Sequence, residues 1–188
     1  MAEKTPGNRA RQRTRRAILL SAITTLRARP SASLGEVADA AGVARSTLHR
    51  YFPDREALTA ALDEFVLAEQ GAAVDRARPD EGTGLEAYTR IVGELLDASE
   101  VLAWWLHVDD SEDDGLDTED DARLTAVVAR GQRDGSIDPA FPADWLMHVV
   151  WSALWAAELL VTRGSTTRRE VRDTCLRSLV KLAAAPAA

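Results

Sequence analysis

The sequence predicts an all-α protein of about nine helices, on three observations. Apolar residues recur at three- and four-residue spacing along most of the 188 residues, while the alternation expected of strands is almost absent. Three capping boxes, Ser33-x-x-Glu36, Thr83-x-x-Glu86 and Thr167-x-x-Glu170, mark helix starts. Pro30, Gly42, Pro53 and Pro79 punctuate the periodic segments where helices should stop.

Each element follows from its residues. Ile18, Leu19, Ala22, Ile23 and Leu26 form one face of a first helix, which must end before Pro30. The Ser33 box opens a short second helix that turns Leu34, Val37, Ala38 and Ala41 inward and stops at Gly42. A third short helix covers about Arg45 to Phe52. Asp54 then caps a long fourth, with Leu58, Leu62, Phe65 and Val66 on one side. The Thr83 box opens a helix through Tyr88, Ile91, Val92, Leu95 and Leu96. An apolar segment (101–108) and an acidic loop follow, then a helix from about Glu119 to Arg133 and a turn region from Gly135 to Pro142. A strongly apolar helix spans Pro142 to Arg163, and the Thr167 box opens the last helix through Val171, Leu176, Leu179, Val180 and Leu182.

Composition narrows the class. A single cysteine, Cys175, excludes a disulfide scaffold or a multi-thiolate metal site within one chain and fits a reducing cytoplasm. The apolar stretch from Trp145 to Val161 carries His148, Ser152 and Glu158, so it reads as a buried helix rather than a membrane span. The basic-then-apolar start lacks a small-residue cleavage site, and export is not expected. There is no Gly-rich phosphate loop, nucleophile elbow or HExxH, so no enzyme, metal or cofactor is expected, and Cys175 reads as packing.

The net charge of −7 hides a split. Residues 1–58 hold eleven basic groups against five acidic ones, whereas the remainder holds twelve against twenty-five. A basic module joined to an acidic one suggests that the first meets a polyanion. The alternative is a solvated basic tail, because Arg9, Arg11, Arg13, Arg15 and Arg16 supply five of those charges.

Residues 34–52, LGEVADAAGVARSTLHRYF, have helix-turn-helix spacing: short helix, tight turn at Gly42, short helix. Ala38 and Ala41 are small where the helices cross, and Val43, Leu48 and Phe52 pin the second helix to the first. What remains on that second helix is Arg45, Ser46, Thr47, His49, Arg50 and Tyr51, an inventory suited to base edges and phosphates in a major groove. An ordinary αα-corner with a solvated polar face is the competing reading; the adjacent basic segment favours double-stranded DNA.

The stretches ILLSAITTL and SLGEVADAAGVARSTLHRYFPDREAL resemble the N-terminal DNA-binding domain of the TetR family of transcriptional regulators. The match covers a quarter to a third of the chain; beyond it, only the layout and the Arg133–Pro139 turn are similar. The resemblance implies that Thr47 contacts DNA, that Arg55 meets a phosphate beside the fourth helix, and that Ser33 approaches the backbone as well as capping its helix. Two departures matter. His49 stands where the family usually has a tyrosine, and Ala44 where a serine often caps the recognition helix, at a cost of about 1 kcal/mol. Arg13 and its basic neighbours form an arm that adds sequence-blind attraction.

The resemblance also implies a homodimer on a palindromic operator, paired through the last two helices, and a small-molecule effector whose binding shifts the fourth helix. Residues 10–58, extending into the fourth helix to about 71, would be the DNA-binding domain, and 72–188 the effector-binding and dimerisation domain. Tyr88, Trp104, Trp105, His107, His148, Trp151 and Trp155 are the candidate effector walls. Core and dimer packing is the other reading of these tryptophans, and polar residues with satisfied hydrogen bonds that of the two histidines. In the acidic loop 109–121, Asp110, Glu112, Asp114, Gly115 and Asp121 fit positions 1, 3, 5, 6 and 12 of a calcium loop, but Asp117 at position 8 and the missing Glu at position 12 do not. A solvated loop is preferred. The function expected is a ligand-released repressor; an all-helical binding or catalytic protein, or a DNA-binding regulator without an effector, are the alternatives.

Overall fold

The computed structural model of the chain describes residues 6–105 and 119–186. Among them the helices run α1 (Pro6–Ala28), α2 (Leu34–Ala40), α3 (Arg45–Tyr51), α4 (Arg55–Arg76), α5 (Gly84–Asp97), α6 (Ser99–Leu102), α7 (Glu119–Asp134), α8 (Ala143–Thr162) and α9 (Arg168–Ala183). The β-structure among the described residues is one isolated antiparallel bridge between Ile137 and Ala184. The chain divides into two compact units, Met1–Leu67 and Ala68–Ala188, and α4 contributes residues to both.

In the first unit the expected apolar stripes meet. Ile18, Leu19, Ala22 and Ile23 of α1, Val37 and Ala38 of α2, Leu48 of α3, and Leu58 and Leu62 of α4 are all shielded from water. The basic arm from Arg9 to Arg16 is helical: it is part of α1, which begins at Pro6. Proline suits a helix's first turn and arginine is a good helix former, so nothing local opposes the extension.

In the second unit α5 packs on α7 and α9, and α8 packs on α7 and α9. Gly84 and Gly131 make the α5–α7 crossing possible: a Cβ on Gly84 would stand 2.1 Å from the Gly131 Cα. The turn after α7 serves α5. Asp134 accepts from the Gly84 N–H at 2.8 Å and Ser136 Oγ from the Leu85 N–H at 3.0 Å, so two orphan donors of the helix start are satisfied. Hydrogen bonds from the Ser136, Gly84 and Ser136 groups, in that order of weight, hold the Asp134 carboxyl below its ordinary range. The C-terminal chain closes on the same turn through Asp138 N–H to Ala183 O and Ala185 N–H to Ser136 O.

α8 is long and apolar enough to cross a membrane by length and composition. In the fold it buries Leu146, Met147, Val150, Leu154, Ala157 and Glu158. The Glu158 carboxylate, on α8, accepts from Ser99 Oγ at 2.8 Å and from Arg168 Nη1 at 2.5 Å, which ties α6, α8 and α9 together. Cys175 is half-buried with its thiol directed at the Ala153 carbonyl, and burial raises its pKa, as expected of a packing residue.

Candidate nucleic-acid interface

The helix-turn-helix is built by local rules. Ser33 caps α2: its hydroxyl accepts from the Glu36 N–H at 3.3 Å, and Glu36 Oε2 accepts from the Ser33 N–H at 2.8 Å. Those Ser33 hydrogen bonds, with help from Arg29, hold the Glu36 carboxyl below its ordinary range. Val37, Ala38 and Asp39 carbonyls accept from Ala41, Val43 and Gly42, so the chain reverses at Gly42, whose φ of +64° suits a residue without Cβ. α3 starts at Ala44 without a side-chain cap, as its sequence predicts.

On α3, Arg45, Ser46, His49 and Arg50 are exposed and Thr47 is half-buried. With one residue per 100° of turn, these positions form one polar surface while Leu48 points into the core. Arg45 is folded back across α2, its guanidinium within 3.0 Å of where a Gly35 Cβ would be and 3.7 Å from Asp39. His49 Nδ1 lies 3.1 Å from the Pro53 carbonyl oxygen.

Two of the sequence-predicted DNA residues have intramolecular tasks. The Arg55 guanidinium donates to the carbonyl oxygens of Pro30 and Ala32, fastening the α1–α2 turn to the start of α4. Tyr51 turns towards α1, and its hydroxyl donates to the Arg11 carbonyl at 3.3 Å. Arg11 lies over the Tyr51 ring at 5.8 Å, and Arg15 over the Phe52 ring at 5.7 Å. Arg13 and Ser33 are exposed.

The matches with known proteins agree with this geometry. The family described as "Bacterial regulatory proteins, tetR family" matches residues 27–62, from the end of α1 into α4. The chain is 36% identical over 172 residues to the HTH-type transcriptional repressor LfrR of Mycolicibacterium smegmatis, covering 90% of each protein. The chain belongs to the TetR family. It is therefore a DNA-binding transcriptional regulator, and its helix-turn-helix is the TetR reading head. The solved structure of LfrR in complex with proflavine has a TM-score of 0.67 at 34% identity, over 92% of this chain and 97% of that one. A TetR family regulator from Marinobacter aquaeolei shares the fold at TM-score 0.66 and 19% identity, over 95% and 100%. The relatives named here are transcriptional regulators by description.

The candidate effector walls lie in the second unit. Tyr88 is fully buried; its hydroxyl has no hydrogen-bond partner among the described residues, and burial alone raises its pKa. Trp104 is buried, and Trp105 and Trp151 meet edge-on at 6.4 Å. His148 sits outside, bonded within its own helix to the Asp144 carbonyl, and Trp155 is 49% exposed on the outer face of α8. His107 and the calcium-template residues Asp110, Glu112, Asp114 and Gly115 fall outside the described residues.

Asp121, the template's last position, is not in a loop. It lies in the first turn of α7, buried, and accepts from Trp151 Nε1 at 3.3 Å and Gln70 Nε2 at 3.4 Å. Sequence reasoning missed this residue because it follows a long acidic run and looked like the end of it. The available signal was the helical register with Leu124 and Val128, which puts Asp121 on the buried face.

Proposed function

We propose that this regulator is a repressor that binds a palindromic operator as a homodimer and is released by a small-molecule effector held in the second unit. The reading assigns DNA to the first unit, with Ser46, Thr47, His49 and Arg50 facing the groove and Arg13 and Ser33 facing phosphates; Arg45, Tyr51 and Arg55 remain at the margin of that surface. It assigns effector binding and dimerisation to the second unit, in a protein of the cytoplasm without catalytic activity.

The observation that carries it is the exposed polar face of α3 beside the row of arginines on α1, in a chain 36% identical to a transcriptional repressor. The relative's complex with proflavine supports a small-molecule site, and Tyr88 and the Trp105–Trp151 pair are polar and aromatic groups of the kind that line one. Exposed Trp145, Trp155 and Leu160 on α8 support pairing of α8 and α9 with a second copy, since large apolar side chains gain by leaving water. α4 is the natural transmitter: it begins three residues after Phe52, the C-cap of α3, and carries Gln70 to the Asp121 carboxylate.

The test is salt-titrated binding to operator and scrambled duplexes. Thr47→Ala should lose operator preference, whereas Arg13→Ala should weaken both complexes about equally and lower the salt slope by about one. Equal losses on both duplexes for Thr47→Ala would defeat the assignment. Sedimentation checks the dimer, and a mixed library of cationic, neutral and anionic small molecules checks whether any compound releases the operator.

A further inference from the structure

We propose that Arg45 reads a guanine base in the major groove, and that Gly35 and Asp39 of α2 hold its guanidinium in position to do so; this rests on the operator reading above. Arg45 is the first residue of α3, at the margin of that helix's exposed face. Its side chain runs sideways across α2. Cζ and Nε both lie 3.0 Å from the place a Gly35 Cβ would take, and Nη2 lies 3.7 Å from Asp39 Oδ2. Gly35 and Asp39 are four residues apart on α2 and so share the face that the guanidinium covers.

This arrangement separates a base from a phosphate. The Asp39 carboxylate cancels part of the arginine's charge and repels any phosphate brought to the same guanidinium. A base edge is neutral and meets little of that repulsion. What it needs is a planar fork, and arginine presents five N–H donors, more than one carboxylate oxygen at 3.7 Å can occupy. Among the base edges of the major groove, guanine alone offers two acceptors side by side, N7 and O6. Adenine and cytosine each present a donor there, and thymine a single acceptor beside its methyl group.

The two α2 residues have different tasks. Arg45 and Asp39 side chains are 72% and 69% exposed, and an ion pair in water contributes little to folding. The pair narrows the places that the guanidinium visits, so less order has to be imposed when a base arrives. Gly35 supplies room. It is helical and outside the left-handed region, so its backbone does not call for glycine. The guanidinium fills the space that a side chain at position 35 would take. A methyl group there meets only the far end of a flexible side chain, which yields, so Gly35→Ala keeps the fold and moves the arginine.

The experiment lets the full chain select duplexes from a library with a random core, then measures the enriched motif base by base. The wild-type motif should hold a guanine in each half-site whose replacement by adenine weakens binding roughly 5- to 150-fold. Replacement by 7-deazaguanine, which lacks only the N7 acceptor, should weaken binding about fivefold. Arg45→Ala should erase both effects and leave the preferences at other positions. Gly35→Ala favours the helix and should melt no lower than the wild-type chain, yet lower the guanine preference about threefold or more. Asp39→Ala should lower the same preference while tightening binding to scrambled DNA. An Arg45→Ala chain that keeps the guanine preference overturns the proposal. So does one that binds every duplex more weakly by one factor with a salt slope lower by about one, the mark of a phosphate contact. A wild-type motif without a guanine sensitive to the 7-deaza change overturns it whether or not any variant folds. An undiminished preference in both Gly35→Ala and Asp39→Ala overturns the positioning role. A wild-type chain that selects no motif overturns the operator reading itself, an outcome distinct from all of these.

Discussion

The Tyr51 hydroxyl donates to the backbone carbonyl of Arg11, forty residues earlier, and the Arg11 guanidinium lies over the same ring. The last residue of the recognition helix is thereby held by the N-terminal extension of α1. This contact makes Tyr51 a positioning residue for the helix it ends.

Tyr51→Phe keeps the ring and removes one hydrogen bond. It should cost about 0.5–1.5 kcal/mol in thermal unfolding and weaken operator and scrambled DNA by a similar factor. A loss confined to the operator would instead put the hydroxyl against a base.

Arg55 makes a comparable contrast. Its guanidinium is spent on the Pro30 and Ala32 carbonyls, so Arg55→Lys, which has no fork geometry, should cost about 1–2 kcal/mol of stability. Arg55→Ala, which removes the charge, should leave the salt slope of DNA binding as in the wild-type chain. A slope lower by about one would show a phosphate contact.

Glycine substitutions should separate two causes. In Gly84→Ala the new methyl meets the Gly131 backbone at 2.1 Å, and helix axes must part, at ~3 kcal/mol or more. Gly42→Ala meets nothing within 4 Å and bears only the left-handed backbone penalty, about 1–2 kcal/mol. Chemical denaturation of both variants, with Gly42→Asn as the milder control, measures the difference.

Acid should loosen the helix starts. Glu36, Glu86 and Glu170 each have a pKa held below the ordinary 4.5, in each case chiefly by the backbone N–H of the capping Ser33, Thr83 or Thr167. Their ionised forms are favoured by folding, so the stabilisation is complete above pH 4.5 and is lost as pH falls through the lowered folded values. A Glu36→Gln, Glu86→Gln, Glu170→Gln triple variant should show a shallower decline of melting temperature between pH 5 and about pH 3 than the wild-type chain. Parallel declines would contradict the boxes.

Much of this was legible in the residues. The three boxes formed where Ser33, Thr83 and Thr167 predicted them, α3 lacks a cap because Ala44 has no acceptor, and Asp54 Oδ1 accepts from the Ala57 N–H at the start of α4. Such features are set within four residues of one another, and short-range chemistry is written directly in sequence. The extent of α1 was not legible in the same way, because its polar first half gains its place from Tyr51 and Phe52, distant in sequence.

By itself, then, the amino-acid order determined the helical class, the capped starts of α2, α5 and α9, the glycine turn of the reading head and the apolar stripes, since all depend on backbone geometry and side-chain periodicity. Only tertiary packing decided which polar groups look inward: that Arg55 serves a turn, that Tyr51 braces α1, and that Asp121 leaves an acidic run to sit beneath Trp151. The reason is physical. A charge tells how costly burial is, but only the neighbours brought by distant helices tell whether that cost is met.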